Sequence, residues 1–256
     1  MTVAVAEKPQ AAPVDGSAPA GERAPSVSDL TASAQNYLKI IWSVQEWDRE
    51  RTPVQPSVIA EKAGLRMSTV SDAIKRLGRQ GLVTHTRYGA VSLTEEGRAH
   101  AVQMVRRHRL IETFLVQVLG YGWDEVHDEA EVLEHAVSDE LVDRISAHLG
   151  YPGRDPHGDP IPAADGQVAT PRARQLTDCE PGSDYRLERI SDADPELLQF
   201  LADRGLDVGA VFTLAAGEQF SGTRILQRRG ADDLTLGDAA AAAMWVSAVG
   251  AVGSER

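Results

Sequence analysis

Gly64, Gly81 and Gly89 divide the stretch PVQPSVIAEKAGLRMSTVSDAIKRLGRQGLVTHTRYGAVSLTEEGRA into segments too short for most folds. Before Gly64, the residues Val58, Ile59 and Ala63 mark a short helix that Ser57 can cap. Glycine tolerates the positive φ required to leave that helix and turn. Leu65 anchors the turn. A second helix starts at Ser68 or Thr69, and its Val70, Ala73, Ile74 and Leu77 recur at helical spacing. It closes at Gly81. LVTH and AVSL then read as short strands around TRYG, with Gly89 in the tight turn. Helix, turn, helix and hairpin in this order make a winged helix-turn-helix.

Charge decides what such a unit does. The chain carries a formal net charge of −12, which does not suit nucleic acid as a partner. Residues 51–98 reverse the sign, with eight Lys/Arg against four acids. A basic module on an acidic body is the pattern of a DNA-binding regulator. Ser68, Thr69, Ser71, Asp72, Lys75 and Arg76, on or near the exposed start of the second helix, are the candidate groove contacts. Arg66 before it and Arg87 in the wing are candidate phosphate contacts. The bland alternative is a protein-interaction module whose cations are merely solvated.

Residues 1–29 are rich in Ala, Pro and Gly and read as a disordered tail. The winged-helix domain spans 30–98 and opens with a helix in TASAQNYLKIIWSVQEW. Thr31 or Ser33 is its cap, Tyr37, Ile40, Ile41 and Val44 form its apolar stripe, and Trp42 and Trp47 lie off centre. Residues 99–150 continue as a helical domain. Thr94 caps a long helix, a second helix carries HDEAEVLEH, and a third starts at Ser138. Residues 151–182 hold six of the thirteen prolines and read as a surface linker. Residues 183–250 alternate in short β-prone segments around the helical PELLQFLADRG, which predicts an SH3-like β-barrel. The fold class is therefore mainly α with a small β domain.

The single cysteine, Cys179, excludes an intrachain disulfide or a thiolate-rich metal site. No apolar run reaches the roughly 18 residues of a membrane helix, and the N-terminus lacks a secretory pattern. A cytoplasmic protein with no membrane partner is expected.

HDEAEVLEH places four carboxylates and two histidines in nine residues. Read as a helix at ~100° per residue, it puts His127, Glu131, Glu134 and His135 on one face, away from the apolar Val126, Ala130, Leu133 and Val137. HRLIE in the preceding helix places His108 and Glu112 one turn apart. Two such helices packed antiparallel would oppose several carboxylates, which repel unless a cation lies between them. Taken singly, each set also fits a solvated acidic face or a helix-stabilising pair. Nitrogen and oxygen donors without thiolate suit manganese or ferrous iron, with zinc a further option.

The order of winged helix, HRLIE, VHDEAEVLEHAVSDE, DPHGDPIP and a small β domain resembles the DtxR/MntR family of metal-dependent transcriptional repressors. The resemblance covers about residues 30–249 and makes the last domain FeoA-type. It implies a homodimer that binds a palindromic operator in double-stranded DNA when metal is bound. It also implies a primary metal site at Glu131, Glu134, His135 and Asn36. An ancillary site falls on His108, Glu112 and His127, with a third-domain ligand at Asp194 or neighbouring Glu196. The iron-sensing branch has cysteine at the position of Glu131 and methionine at that of Asn36, so the resemblance implies Mn(II), with Fe(II) as the alternative. This chain departs from the family at four positions. Asn36 stands where many manganese sensors have aspartate, and Lys39 where some have a glutamate of a two-metal cluster. Leu197 replaces an expected polar ligand, and Asp72 replaces a recognition-helix glutamine.

An enzyme is not expected. Glu134 and His135 are adjacent rather than spaced as a metallohydrolase motif, and no nucleophile stands out. A metal-independent winged-helix regulator is the remaining alternative.

Overall fold

The structure is a computed structural model that describes residues 26–46, 50, 52–85, 89–169 and 172–249. The tail to residue 25, Trp47 and the wing residue Arg87 lie outside the described residues.

The winged-helix unit comprises α1 (Ala32–Glu46), α2 (Pro56–Ala63), α3 (Met67–Arg79) and the hairpin β1 (Val83–His85) and β2 (Val91–Leu93). Helix α2 has Pro56 in its first turn, and Gly64 ends it at φ 64°, donating its N–H to Ala60 and Glu61. The expected Ser57 cap is therefore not used. A proline with pre-set φ starts the helix instead. Helix α3 likewise starts earlier than expected, at Met67 after Arg66. The hairpin pairs Val83 with Leu93 and His85 with Val91. Val70, Ala73, Ile74 and Leu77 are buried against Leu38, Ile41 and Ile59 in one core. The stripe of α1 is rotated from the expected one. Leu38 and Trp42 are buried, while Ile40 and Val44 are only partly so. The Arg109 guanidinium lies 5.7 Å from the Trp42 ring, which draws that edge inward.

The second domain is built on α4 (Glu95–Phe114), capped by the Thr94 hydroxyl at Gly97 N–H and extended by a π-turn at Leu115–Leu119. Helix α5 (Val126–Leu133) and α6 (Asp139–His148) pack along it, α6 starting at the Ser138 cap. Order begins before residue 30. Val27 is buried, its N–H donates to Gln103, and the Ser26 hydroxyl donates to Asp139.

Residues 151–163 are packed rather than laid over the surface as a linker. Asp155, His157, Asp159 and Ile161 are buried, and Arg154 pairs with Pro160 in an isolated bridge. The prolines preclude helix and sheet here, but buried carboxylates meeting Arg109 and Arg189 hold the segment in place. The third domain starts before residue 183. Its antiparallel sheet runs in the order β3 (Arg174–Gln175), β8 (Met244–Ala248), β4 (Asp184–Ile190), β5 (Val211–Ala216), β6 (Thr223–Gln227) and β7 (Leu234–Gly237). It surrounds one core with α7 (Pro195–Ala202) and α8 (Asp238–Ala242), and Leu176 and Cys179 belong to that core. Across the gap from β6 to the end of β3, Arg224 donates to the Thr177 carbonyl. Among the described residues no helix is long and apolar enough to cross a membrane.

Candidate metal centre

The middle of α4 is where buried charge gathers. His108 and Glu112 are one turn apart and both buried. His108 Nδ1 donates to Glu134 Oε2 at 2.6 Å, and its Nε2 lies 2.9 Å from Glu112 Oε1 without hydrogen-bond geometry. His127 Nδ1, from α5, is 3.3 Å from Glu112 Oε1 and 3.3 Å from Asp192 Oδ2 of the third domain. His108, Glu112, His127 and Asp192 thus offer four donor atoms within 4.8 Å of one another.

A second set shares His108. It adds Glu131 and the fully buried Glu134, again with donor atoms within 4.8 Å. Between these carboxylates sits the Lys39 ammonium, 2.5 Å from Glu131 Oε1 and 2.6 Å from Glu134 Oε1. A third set, Glu112, Asp155 and His157, lies behind Glu112. His157 Nε2 donates to the Trp123 carbonyl at 2.6 Å, which leaves Nδ1 facing Glu112 Oε2 at 3.9 Å.

These contacts set the charges. Burial by itself would lower the His108 pKa, but the charge of the neighbouring Glu112 carboxylate and the bond to Glu134 raise it to about 9. Bonds to Asp192 and Glu112 raise His127 to about 10 against its burial. Burial opposes ionisation of Glu112 and Glu134, yet the imidazolium of His108 outweighs it and holds both carboxyls below their usual range. Asp155 moves the other way. Burial, then the Asp159 and Glu112 charges, raise its pKa well above the ordinary value.

His135 lies just past the end of α5, with its Nε2 3.5 Å from Glu134 Oε1. The helix stops at Leu133, and His135 follows in a turn. The reason is tertiary: the buried Glu134 is claimed by Lys39 and His108, and its carbonyl accepts from Arg107. His135 Nδ1 donates to Gln35 Oε1 at 2.6 Å. Gln35 Nε2 is already committed to the Val27 and Leu30 carbonyls, so its oxygen must be the acceptor. His135 therefore donates through Nδ1, and its Nε2 is left to face the site. Asn36 lines a cavity of about 540 Å³ with Lys39, His127 and Glu131.

Asp194 is not in the cluster. Its carboxylate caps α7, accepting from the N–H groups of Glu196 and Leu197, and Asp192 takes the place at His127. The sequence contained this signal: an Asp immediately before Pro195 is a helix cap followed by proline at the first helical position. Gln35 had no comparable signal, since its role depends on segments distant in the chain, and Asp155 and His157 lie in DPHGDPIP, which the resemblance included without giving them a role.

The fit to a divalent cation is testable on the protein alone. Asn36 Oδ1, His108 Nε2, His135 Nε2 and His157 Nδ1 are buried without a hydrogen-bond partner. Buried polar atoms normally have one, and here all four belong to nitrogen and oxygen donors set among carboxylates. The residues fit such an ion.

On α3, Arg66, Ser68, Thr69, Asp72, Lys75 and Arg76 are exposed and Ser71 is partly so. Lys75 pairs with Asp72 at 3.3 Å on that surface.

An exposed recognition helix in a winged helix, joined to a carboxylate–imidazole centre, is the build of a metal-responsive transcriptional regulator. Residues 29–91 match the iron-dependent repressor N-terminal DNA-binding domain. Residues 94–163 match the iron-dependent repressor metal-binding and dimerisation domain, and residues 174–248 the FeoA domain. The iron-dependent repressor IdeR of Mycobacterium leprae is 31% identical over 223 residues, 82% of this chain and 94% of its own. The diphtheria toxin repressor of Corynebacterium glutamicum is 31% identical over 194 residues, 72% of this chain and 83% of its own. Among solved structures, a manganese-dependent transcriptional repressor in complex with manganese is 52% identical with a TM-score of 0.79, covering 84% of this chain and all of that one. The manganese regulator SloR is 34% identical with a TM-score of 0.70, covering 86% of this chain and all of that one. The chain belongs to the DtxR/IdeR family of metal-dependent transcriptional repressors. The family is one of repressors, not enzymes, and it implies divalent metal, DNA and self-association.

Proposed function

We propose that this protein is a manganese-responsive repressor whose Mn(II) form is the homodimer competent to bind a palindromic operator. The observation that carries the reading is the donor set. Asn36, Glu131, Glu134 and His135 supply oxygen and imidazole, and no sulfur: the one cysteine is buried in the third-domain core. Hard donors favour Mn(II), whereas thiolate and thioether favour softer ions. The 52%-identical relative, a manganese-dependent repressor, supports it.

In this reading His108, Glu112, His127 and Asp192 hold a second ion, with Asp155 and His157 behind Glu112. A bound divalent cation supplies the positive charge that lets these carboxylates face each other. The rest is done by the chain. Asn36 is on α1, which packs on α2 of the winged helix. Glu131 is on α5, and Gln35 on α1 orients His135. Drawing these donors together fixes α1 against the second domain, and so sets where α3 is presented. Val118, Leu119, Val132 and Leu141, exposed on the second domain, suit self-association. A twofold pair of α3 helices then meets two half-sites. Ser68, Thr69, Ser71, Asp72, Lys75 and Arg76 face the groove, and Arg66 and Arg87 the phosphates.

The test is operator binding at controlled free Mn(II), anaerobic Fe(II) and Zn(II). Mn(II) is expected to strengthen binding, and Glu131→Ala to abolish the response while keeping the fold. Affinity indifferent to Mn(II) and to chelator would overturn the reading. Iron dependence is the second reading, favoured by the relatives named iron-dependent repressors, and a stronger response to Fe(II) would establish it.

A further inference from the structure

Lys39 sets its ammonium between two carboxylates of the primary site, and it cannot be a ligand. An ammonium has three donors and no lone pair. Its Nζ contacts Glu131 and Glu134 at 2.5 and 2.6 Å, and the side chain is only 10% exposed. These two carboxylates, with His108, form one of the three groups able to hold an ion. The ammonium and a metal ion therefore compete for the same oxygens.

Two further features bear on the exchange. Lys39 lines two cavities that open on the site, of about 650 and 540 Å³, so its flexible four-carbon stem has space to leave. Asn36 lies one turn before it on α1, within the second cavity, and Asn36 Oδ1 is buried without a partner. Beside Gln35, helix α1 thus presents Lys39, already used, and Asn36 Oδ1, idle.

We propose that Lys39 is an internal competitor that sets the metal threshold: it neutralises Glu131 and Glu134 until a divalent cation displaces it, and Asn36 then takes over the tie between α1 and the second domain. The proposal rests on the primary-site reading above. No bond is made or broken covalently, and the ammonium keeps its proton throughout. Removing the charge makes two carboxylates available that otherwise must be vacated, so metal binds more tightly. It also leaves buried like charges facing each other in the metal-free protein, so that form becomes less stable.

The experiment uses the full chain stripped of metal, with free Mn(II) followed by electron paramagnetic resonance during titration. The binding step lost in Glu131→Gln identifies the primary site. Lys39→Met is expected to lower the Kd of that step by about tenfold or more, the factor given by one contact of ~1.4 kcal/mol. Lys39→Arg, which keeps the charge, is expected not to tighten it. The metal-free melting temperature of Lys39→Met should fall and its rise on adding Mn(II) should grow. Should Lys39→Met lack a cooperative melt, Lys39→Gln, which retains a donor toward the carboxylates, is read the same way. An unchanged or raised Kd in the neutral variants overturns the competitor role alone. If Glu131→Gln and wild type bind Mn(II) identically, the primary-site reading fails instead.

Discussion

If His108 and His127 ligate a divalent cation as proposed, loading the centre must expel protons, and the number follows from the contacts. In the metal-free protein His108 has a pKa of about 9 and His127 of about 10, held up by Glu112, Glu134 and Asp192. At pH 7.5 each is then more than ~95% protonated by the ordinary titration relation. An imidazole nitrogen must be deprotonated to ligate. His108 can keep the Nδ1 proton it donates to Glu134 and release the one on Nε2. His127 releases one as well. Loading should free about two protons per subunit between pH 6.5 and 8, and the apparent Kd should then fall about a hundredfold per pH unit. Titration calorimetry in buffers of different ionisation enthalpy reads the proton count as the slope of observed heat against buffer heat. His127→Gln should reduce that slope by about one. A slope near zero in wild type would mean that both imidazoles are neutral before metal arrives, and the ion-paired description of the centre would be wrong. The same shifts give the sign for folding. A pKa raised above its unfolded value near ~6.5 contributes stability that is fully present below that pH. The metal-free protein should therefore lose stability as pH rises through about 9 and 10, which thermal melts across pH 7–10 would show.

Three further perturbations probe the surroundings. Gln35→Leu removes the acceptor that fixes the His135 ring, so the primary-site Kd for Mn(II) should rise about tenfold or more; the melting temperature should fall as well, because the Val27 and Leu30 carbonyls lose their donor, and an unaltered Kd would show that His135 needs no orienting partner. Arg109→Met strips the guanidinium from Glu46 and Asp155 and leaves Asp159 to Arg189 alone, and denaturant unfolding should show a loss of about 3–5 kcal/mol. A loss under ~1 kcal/mol would mean the cluster relaxes by taking up protons or water. Gly158→Ala would set a Cβ 2.0 Å from the Glu188 carbonyl oxygen, at φ 94°, and should cost about 2 kcal/mol or more by the same assay. Wild-type stability there would show that the 151–163 segment can move off β4.

Where a residue's role is set by its near neighbours in sequence, it was readable. Thr94 and Ser138 are caps because a hydroxyl beside a helical stripe bonds the first free N–H groups. Val70, Ala73, Ile74 and Leu77 are core because their spacing is helical. His108 and Glu112 meet because they are one turn apart. Roles fixed by distant segments were not readable. The helical period carried His135 onto the α5 face, whereas Glu134 is pulled inward by Lys39 from 95 residues away and the helix ends. The prolines of residues 151–163 excluded regular structure correctly but not burial, because nothing local announces that Asp155 and Asp159 meet Arg109 and Arg189. That Asp194 caps α7 was readable from Pro195 beside it, but that Asp192 meets His127 depends on α5, distant in the chain.

Four residues of α4 explain how one centre can act on the whole chain. Arg107 bonds the Glu134 carbonyl and Asp139, tying α4 to the turn after α5 and to α6. His108 faces Glu134, and Glu112 faces His127 and Asp192. Arg109 forms two parallel bonds to Glu46 at the end of α1, and also meets Asp155 and Asp159, the latter shared with Arg189 of β4. A pairing of this kind constrains geometry more than an apolar contact of the same area, because a carboxylate that slips is left buried and unpaired. Helix α1 is accordingly held at both ends, at Glu46 by a fixed guanidinium and near Asn36 and Lys39 by whichever cation occupies the carboxylates. In the proposed exchange of Lys39 for a metal ion, the Glu46 contact stays and only the other is remade. Metal loading should therefore pivot α1 about its C-terminal end rather than translate it, and α2, which packs against α1, carries α3 along.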